Sequence, residues 1–131
     1  MVAEITRVRD VMDKNVPTID GMATARDAAA RMREFKVSEL LVEKRNENDA
    51  WGIVTYMDLV KDVAVPARDA ESVFVYEIMT KPVITIPADM DIRYAIRMIQ
   101  WIGVHRAPVD DKGEIVGMVT LSSLILDNDL L

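Results

Sequence analysis

The sequence predicts an α+β fold in which one β-α-β-β-α unit is written twice, an expectation that rests on two observations. The first is a repeat. Setting residue i against residue i+67 gives nine identities between positions 12 and 42: Met12/Met79, Lys14/Lys81, Val16/Val83, Thr18/Thr85, Ile19/Ile86, Arg26/Arg93, Ala28/Ala95, Val37/Val104 and Val42/Val109. Ordinary residue frequencies would give about two. After a loop two residues longer in the first half the spacing becomes 65, matching Gly52/Gly117, Val54/Val119, Thr55/Thr120 and Leu59/Leu124. A gap in a turn followed by restored register is what duplication leaves, because loops tolerate insertion. The second observation is that hydropathy switches between strand and helix periods in the same order in each half.

Val16 to Ile19 and Val83 to Ile86 are short β-rich segments, each leading through a turn into a helical pattern. Ala25, Ala28, Ala29, Met32 and Phe35 recur at three and four in the first helix, and Ile92, Ala95, Ile96, Ile99 and Ile102 do so in the second. Thr24 with Asp27 forms a helix-start box, and Asp91 is placed to cap the other helix. Leu40 to Glu43 and Ala107 to Asp110 follow as strands, then polar turns at Arg45 to Asp49 and Asp111 to Glu114, with Gly113 where positive φ is needed. Trp51 to Thr55 and Ile115 to Thr120 are the closing strands, leading into short helices at Tyr56 to Val63 and Leu121 to Leu126. Val63 to Asp69, with Pro66, is a linker, and Ala70 to Ile78 resumes a helical pattern. The repeats are then residues 1–65 and 66–131. A half of roughly 60 residues buries little surface by itself, so the two are expected to pack sheet to sheet as one pseudo-two-fold pair.

Composition narrows the classes. Half of the 131 residues are hydrophobic and 29% are charged, as in a globular domain. The absence of cysteine removes disulfides, thiolate metal sites and cysteine nucleophiles, and suits a reducing cytoplasm. Met1-Val2-Ala3-Glu4 has no signal-peptide order and no apolar run approaches membrane-spanning length, so a soluble cytoplasmic protein without a membrane partner is expected. The net charge of −6 is dispersed, with no basic stripe suited to nucleic acid.

The quoted residues resemble a tandem pair of cystathionine-β-synthase (CBS) repeats over nearly the whole chain. Val11-Met12 and Ile78-Met79 open each repeat. Gly52-Ile53-Val54-Thr55-Tyr56-Met57-Asp58 and Gly117-Met118-Val119-Thr120-Leu121-Ser122-Ser123 close it, and Val104-His105-Arg106-Ala107-Pro108-Val109-Asp110 is similar to the family's middle strand. The resemblance implies a non-enzymatic regulatory module that binds AMP, ADP, ATP or a relative such as S-adenosylmethionine. It also implies a homodimer forming a disc of four repeats, and sites that take the closing Thr and Asp from one repeat and the opening and middle strands from the other.

On that pattern one site joins Thr55 and Asp58 to Thr80, Val83, Ile84, His105 and Arg106. Asp58 would accept both hydroxyls of a ribose diol, each charge-assisted bond being worth about 1.5 to 3 kcal/mol. Thr55 and the amides beside it would favour an anion, and the Arg106 fork, with His105 as a second donor, would match phosphate oxygens. Ile53, Met57, Val83, Ile84 and Pro108 would give a base apolar walls. The other site would join Thr120 and Ser123 to Asn15, Val16, Pro17, Ser38 and Glu39. There a serine replaces the ribose carboxylate, and Glu39 would repel a phosphate where Arg106 attracts it. One strong nucleotide per chain is expected, with no catalytic cofactor and no metal.

Plainer roles compete for the same residues. Thr55-x-x-Asp58 is also a helix-capping arrangement, and both roles can coexist. His105 alone would more often be structural. Met32, Met98 and Met118 fall in helix or strand stripes as core filler, and Trp101 is either an exposed dimer contact or a partly buried helix cap. Asp127 to Asp129 offers carboxylates that could attract a divalent cation, but a frayed acidic tail is the safer reading. The single histidine and the lack of zinc, phosphate-loop or nucleophile-elbow patterns argue against catalysis. The main rival is an interaction scaffold with a vestigial cleft that docks an effector protein.

Overall fold

A computed structural model describes residues 4–131; the opening Met1-Val2-Ala3, on which the signal-peptide reading drew, lies outside them. The elements run α1 (Val8–Val11), β1 (Thr18–Ile19), α2 (Ala25–Phe35), β2 (Glu39–Val42), β3 (Gly52–Thr55), α3 (Tyr56–Leu59) with a wider π turn at Val60–Ala64, and α4 (Val75–Ile78). They continue as β4 (Ile86–Pro87), α5 (Ile92–Ile102), β5 (Arg106–Asp111), β6 (Glu114–Thr120) and α6 (Leu121–Leu126). Two three-stranded sheets result, ordered β1-β2-β3 and β4-β5-β6. In each, the first pair is parallel and the second antiparallel, as a strand-helix-strand crossover followed by a hairpin requires. The α+β class and the duplicated unit are thus as expected.

The helices begin where their side chains satisfy free amides. Thr24 Oγ1 accepts the Asp27 N–H at 3.1 Å while Asp27 accepts the Thr24 N–H at 3.0 Å. Asp91 accepts the Arg93 N–H at 2.9 Å. Both long helices end on a left-handed residue: Gly103 (φ 88) closes α5, and Lys36 (φ 55) stands at the matching position of α2. The β5–β6 turn places Lys112 (φ 54) and Gly113 (φ 89) at its centre, the arrangement whose twist suits a two-residue hairpin.

The chain gathers into two spatial units, residues 17–83 and residues 84–131 with residues 4–16. These cut across the sequence repeats. Val16 to Ile19 and Val83 to Ile86, read as strands, are where the chain passes from one unit to the other, and only Thr18–Ile19 and Ile86–Pro87 pair in the sheets. Each unit has its own apolar core. One is built from Ile19, Ala28, Met32, Leu40, Val42, Val54, Val63, Val75 and Ile78; the other from Val8, Ile86, Ile92, Ala95, Ile99, Val109, Val119 and Leu124. Leu40, Ile86, Ile92 and Ile99 lose essentially all contact with water, which stabilises the fold by about 1.5–3 kcal/mol per side chain.

The segment that opens each repeat is fastened to the closing strand of the other. Ile53 and Thr80 exchange two backbone hydrogen bonds, each 2.9 Å, and Asp13 and Met118 exchange two of 2.9 and 2.8 Å. Glycine makes room at both places. A Cβ on Gly117 would lie 2.5 Å from Met12 Sδ and 3.0 Å from the Asp13 carbonyl oxygen, and one on Gly52 would lie 3.2 Å from both Met79 Sδ and the Thr80 carbonyl oxygen.

Two elements differ from expectation. Of Ala70 to Ile78 only Val75–Ile78 is helical, because the Ala70 and Val73 carbonyls accept the Arg26 and Ala25 amides at the start of α2 and are unavailable to a helix of their own. The turn α1 was not anticipated. It mirrors α4 at the spacing of 67, its Val8 matching Val75, and Asp10 accepts the Arg7 N–H as Glu77 accepts that of Phe74.

Trp101 is 86% exposed, which excludes the buried-cap alternative. Met32 and Met118 are buried, and Met98 packs against the second core.

Three outcomes follow from this packing. Gly117→Ala should cost about 1–3 kcal/mol in denaturant unfolding, since Met12 and the Asp13 backbone must both shift, and Gly52→Ala should cost less. Lys36→Gly should stabilise by about 1 kcal/mol in the same assay by relieving a left-handed conformation that a side chain disfavours. Acid should destabilise. The Thr24 amide and hydroxyl hold the Asp27 carboxyl below its ordinary value, Arg93 does so for Asp91 and Arg9 for Asp89. Carboxyls depressed on folding contribute stability that is present above the unfolded value of about 3.9 and is lost as pH falls through the lower folded values. The melting temperature should therefore hold from pH 8 to pH 5 and drop below about pH 4, less steeply in Asp27→Asn.

Candidate functional site

Thr55 ends β3 and caps α3. Its hydroxyl oxygen accepts the Asp58 N–H at 3.3 Å, while Asp58 Oδ2 accepts the Thr55 N–H at 2.8 Å and the Thr55 hydroxyl at 3.2 Å. The capping role foreseen for this pair is therefore real, and it occupies one carboxylate oxygen. Oδ1 carries no hydrogen bond to the described residues, so the carboxylate keeps an acceptor while being held in a fixed orientation. Ile53 lies two residues back along β3, and Met57 is 44% exposed on the first turn of α3.

Thr80 and Val83 run beside the open edge of β3. Thr80 is bonded to Ile53, and the Val83 N–H donates to the Trp51 carbonyl at 2.9 Å. Between them Lys81 Nζ meets Asp49 Oδ2 at 2.6 Å. The same oxygen accepts the Arg45 N–H at 2.9 Å and lies 3.2 Å from Arg45 Nε. Lys81, and after it the Arg45 amide, holds the Asp49 carboxyl far below the usual carboxylate range.

The remaining predicted residues lie in the other unit. His105 is exposed, and its carbonyl accepts the Leu121 N–H at 2.8 Å, the same contact that the Ser38 carbonyl makes to Tyr56 at 2.9 Å. Arg106 opens β5 opposite Thr120, and Pro108 is buried opposite Met118. Ile84 is 55% exposed. Thr120 caps α6 by accepting the Ser123 N–H at 3.1 Å, and the Ser123 hydroxyl donates to Asp127 at 3.0 Å. That bond places Asp127 at the end of α6 in a defined contact rather than in a frayed tail. Glu39, at the position matching Arg106, is buried in β2 opposite Thr55, and its Oε2 accepts the Ser38 hydroxyl at 3.0 Å.

Ile53, Thr55, Met57, Asp58, Thr80 and Val83 are thus brought together in one unit, and Ile84, His105, Arg106 and Pro108 belong to the other. The sequence reading missed the Arg45–Asp49–Lys81 cluster. An acidic residue closing a turn that begins with arginine was the available signal, but the lysine lies 32 residues away. It also missed a cavity of about 420 Å³ at the end of the first sheet remote from Thr55, lined by Asp20, Met22, Val42, Glu43, Arg45, Tyr76, Met79 and Lys81. Its charged groups are engaged internally: Asp20 with the Met22 amide, Glu43 with the Thr18 hydroxyl, and both cations with Asp49. Among the described residues no three His, Asp or Glu side chains converge as a metal-holding group, and no helix is long and apolar enough to cross a membrane.

A duplicated α+β unit whose closing strand runs into a threonine-capped helix defines a tandem-repeat architecture. Residues 8–65 and 75–126 match the CBS domain, and the chain belongs to that family. It is 31% identical over 119 residues to an uncharacterized protein of Methanopyrus kandleri, spanning 90% of this chain and 60% of that protein. It is 35% identical over 124 residues to a homoserine O-acetyltransferase of Methanocorpusculum labreanum, spanning 94% of this chain and 24% of the enzyme. The chain therefore covers about three fifths of one relative and about a quarter of the other. Among solved structures, a hexameric CBS-CP12 protein from bloom-forming cyanobacteria superposes with a TM-score of 0.91 at 35% identity, over 97% of this chain and 70% of that one. An uncharacterized conserved protein of Pyrococcus horikoshii has the same fold, with a TM-score of 0.83 at 24% identity over 98% of this chain and 96% of that one.

Proposed function

We propose that this CBS pair is a regulatory sensor that binds one adenine nucleotide, AMP, ADP or ATP, with Thr55, Asp58, His105 and Arg106 as its polar ligands. The observation that carries the reading is the state of Asp58. Its carboxylate is oriented by the cap and retains an acceptor oxygen, whereas the matching Ser123 has no charge and spends its hydroxyl on Asp127. A ribose diol recognised by a preset carboxylate avoids the cost of ordering that group on binding. The cation at Arg106 and the donor at His105 complement a phosphate, while Glu39 at the equivalent place opposes one. Thr80, Val83, Ile84, Ile53, Met57 and Pro108 supply apolar and backbone walls.

The proposal assigns the chain no catalytic step. The acetyltransferase it resembles is about four times longer than the matched stretch, so a modulatory role within or beside larger enzymes fits the extent of the match. A ligand that contacts both repeats can shift their arrangement only by its differential affinity for the alternatives, and an effector protein would read that shift. The hexameric assembly named for the cyanobacterial relative favours self-association, which we propose as a homodimer forming a four-repeat disc.

A thermal-shift series with AMP, ADP, ATP, S-adenosylmethionine and NAD tests the reading. A bound ligand at 100 times its dissociation constant should add about 2.7 kcal/mol of stability. Asp58→Ala should weaken binding by about 2 to 4 kcal/mol, roughly 30-fold to 1,000-fold by titration calorimetry, and Ser123→Ala should leave it nearly unchanged. Asp58→Asn separates charge from capping, since it keeps an acceptor for the Thr55 amide. A flat response to every nucleotide would favour the scaffold, and a response to S-adenosylmethionine alone would change the ligand but not the site.

A further inference from the structure

We infer that Asp49 is a positioning residue for the ligand site, holding the Thr80–Val83 segment in place through its ion pair with Lys81; the ligand part of this inference rests on the sensor reading above. The segment needs such an anchor. It follows α4 without regular structure of its own, and it lies along the open edge of β3 on two bonds at Thr80 and one at Val83. Pro82 has no N–H to add, and Thr80 and Pro82 are exposed to water. Backbone held so sparsely at a sheet edge opens locally at little cost.

Asp49 is built to prevent that opening. Its side chain is only 9% exposed, against 20% for Lys81, so the pair is partly shielded from the solvent that weakens ordinary surface ion pairs. The carboxylate is also fixed before it meets the lysine. The Arg45 amide and guanidinium donate to the same oxygen, and the Asp49 N–H donates to the Asn46 carbonyl at 3.1 Å, so the β2–β3 turn itself aims the acid. The ion pair therefore restrains the short segment that carries Thr80 and Val83, both assigned to the proposed nucleotide site.

The matching place in the other unit lacks this device. Lys14, the equivalent of Lys81, makes no ion pair among the described residues, and the nearby Asp13 carboxylate instead accepts the Asn15 amide at 2.9 Å. The clamp thus occurs on the segment beside Thr55 and Asp58 and not on its counterpart beside Thr120 and Ser123. This asymmetry is independent of the serine-for-aspartate difference and runs in the same direction.

The test uses the full chain with Asp49→Asn, Lys81→Met, their double variant, and Lys81→Arg as the conservative control. In amide exchange followed by NMR, Asp49→Asn and Lys81→Met should each speed the Thr80 and Val83 amides about tenfold or more while Leu41 and Val54 keep wild-type rates. The double variant should be no worse than either single, and Lys81→Arg should restore slow exchange. The dissociation constant of the nucleotide found by the thermal-shift series should rise about 5-fold to 20-fold in the same two variants. Unchanged Thr80 and Val83 exchange would overturn the inference. So would acceleration spread evenly over both units, or faster local exchange with wild-type affinity. A wild-type chain that binds no nucleotide would sink the sensor reading instead, and the exchange measurements would still decide whether Asp49 holds the segment.

Discussion

Two short backbone bridges, Ile53 with Thr80 and Asp13 with Met118, govern the architecture. Each lies on the outer strand of a three-stranded sheet, where a row of N–H and C=O groups would otherwise face water or another chain. Each is made by a segment that belongs, in sequence, to the other repeat. The helical turn ahead of it enters the foreign core: Val8 packs with Ile86 and Leu124, and Val75 and Ile78 pack with Leu40 and Val54. A repeat cut from the chain would lose the cover of its own edge and part of its core at once, so duplication here is a structural requirement and not only a history.

The close approach explains residue choices that hydropathy alone leaves unremarked. Gly52 and Gly117 are the points at which Met79 and Met12 reach the sheet, and a side chain there would occupy the methionine's space. Methionine suits the facing position because an unbranched, flexible side chain can lie flat over a glycine backbone. The identities Met12/Met79 and Gly52/Gly117, seen first as markers of repetition, are thus partners crossed between the repeats.

The same frame carries unequal chemistry. Threonine caps the closing helix in both units, but its partner three residues on is an aspartate in one and a serine in the other. The aspartate completes a capping box and retains an acceptor, while the serine turns toward Asp127. The opening segments differ as well, one held by a shielded ion pair and the other not. A duplicated scaffold can carry different side chains at matching places, because the contacts that hold the sheet edges are backbone and glycine, which those differences leave intact.

Local signals determined much of this protein. Helix periods, the Thr24–Asp27 and Thr55–Asp58 boxes, the Asp91 cap and the Gly113 turn all depend on neighbours within four residues, so they were legible in the sequence, as was the repeat with the family it indicates. Ala70 to Ile78 misled because its carbonyls are taken by the start of α2, a partner more than 40 residues away. Asp49 went unnoticed for the same reason, since its lysine is distant in the chain. Which segment covers which sheet edge, where the repeats exchange their opening turns, and which lysine finds a buried carboxylate were decided only in three dimensions. Those choices are set by shape, edge pairing and burial between residues far apart along the chain, and no local periodicity encodes them.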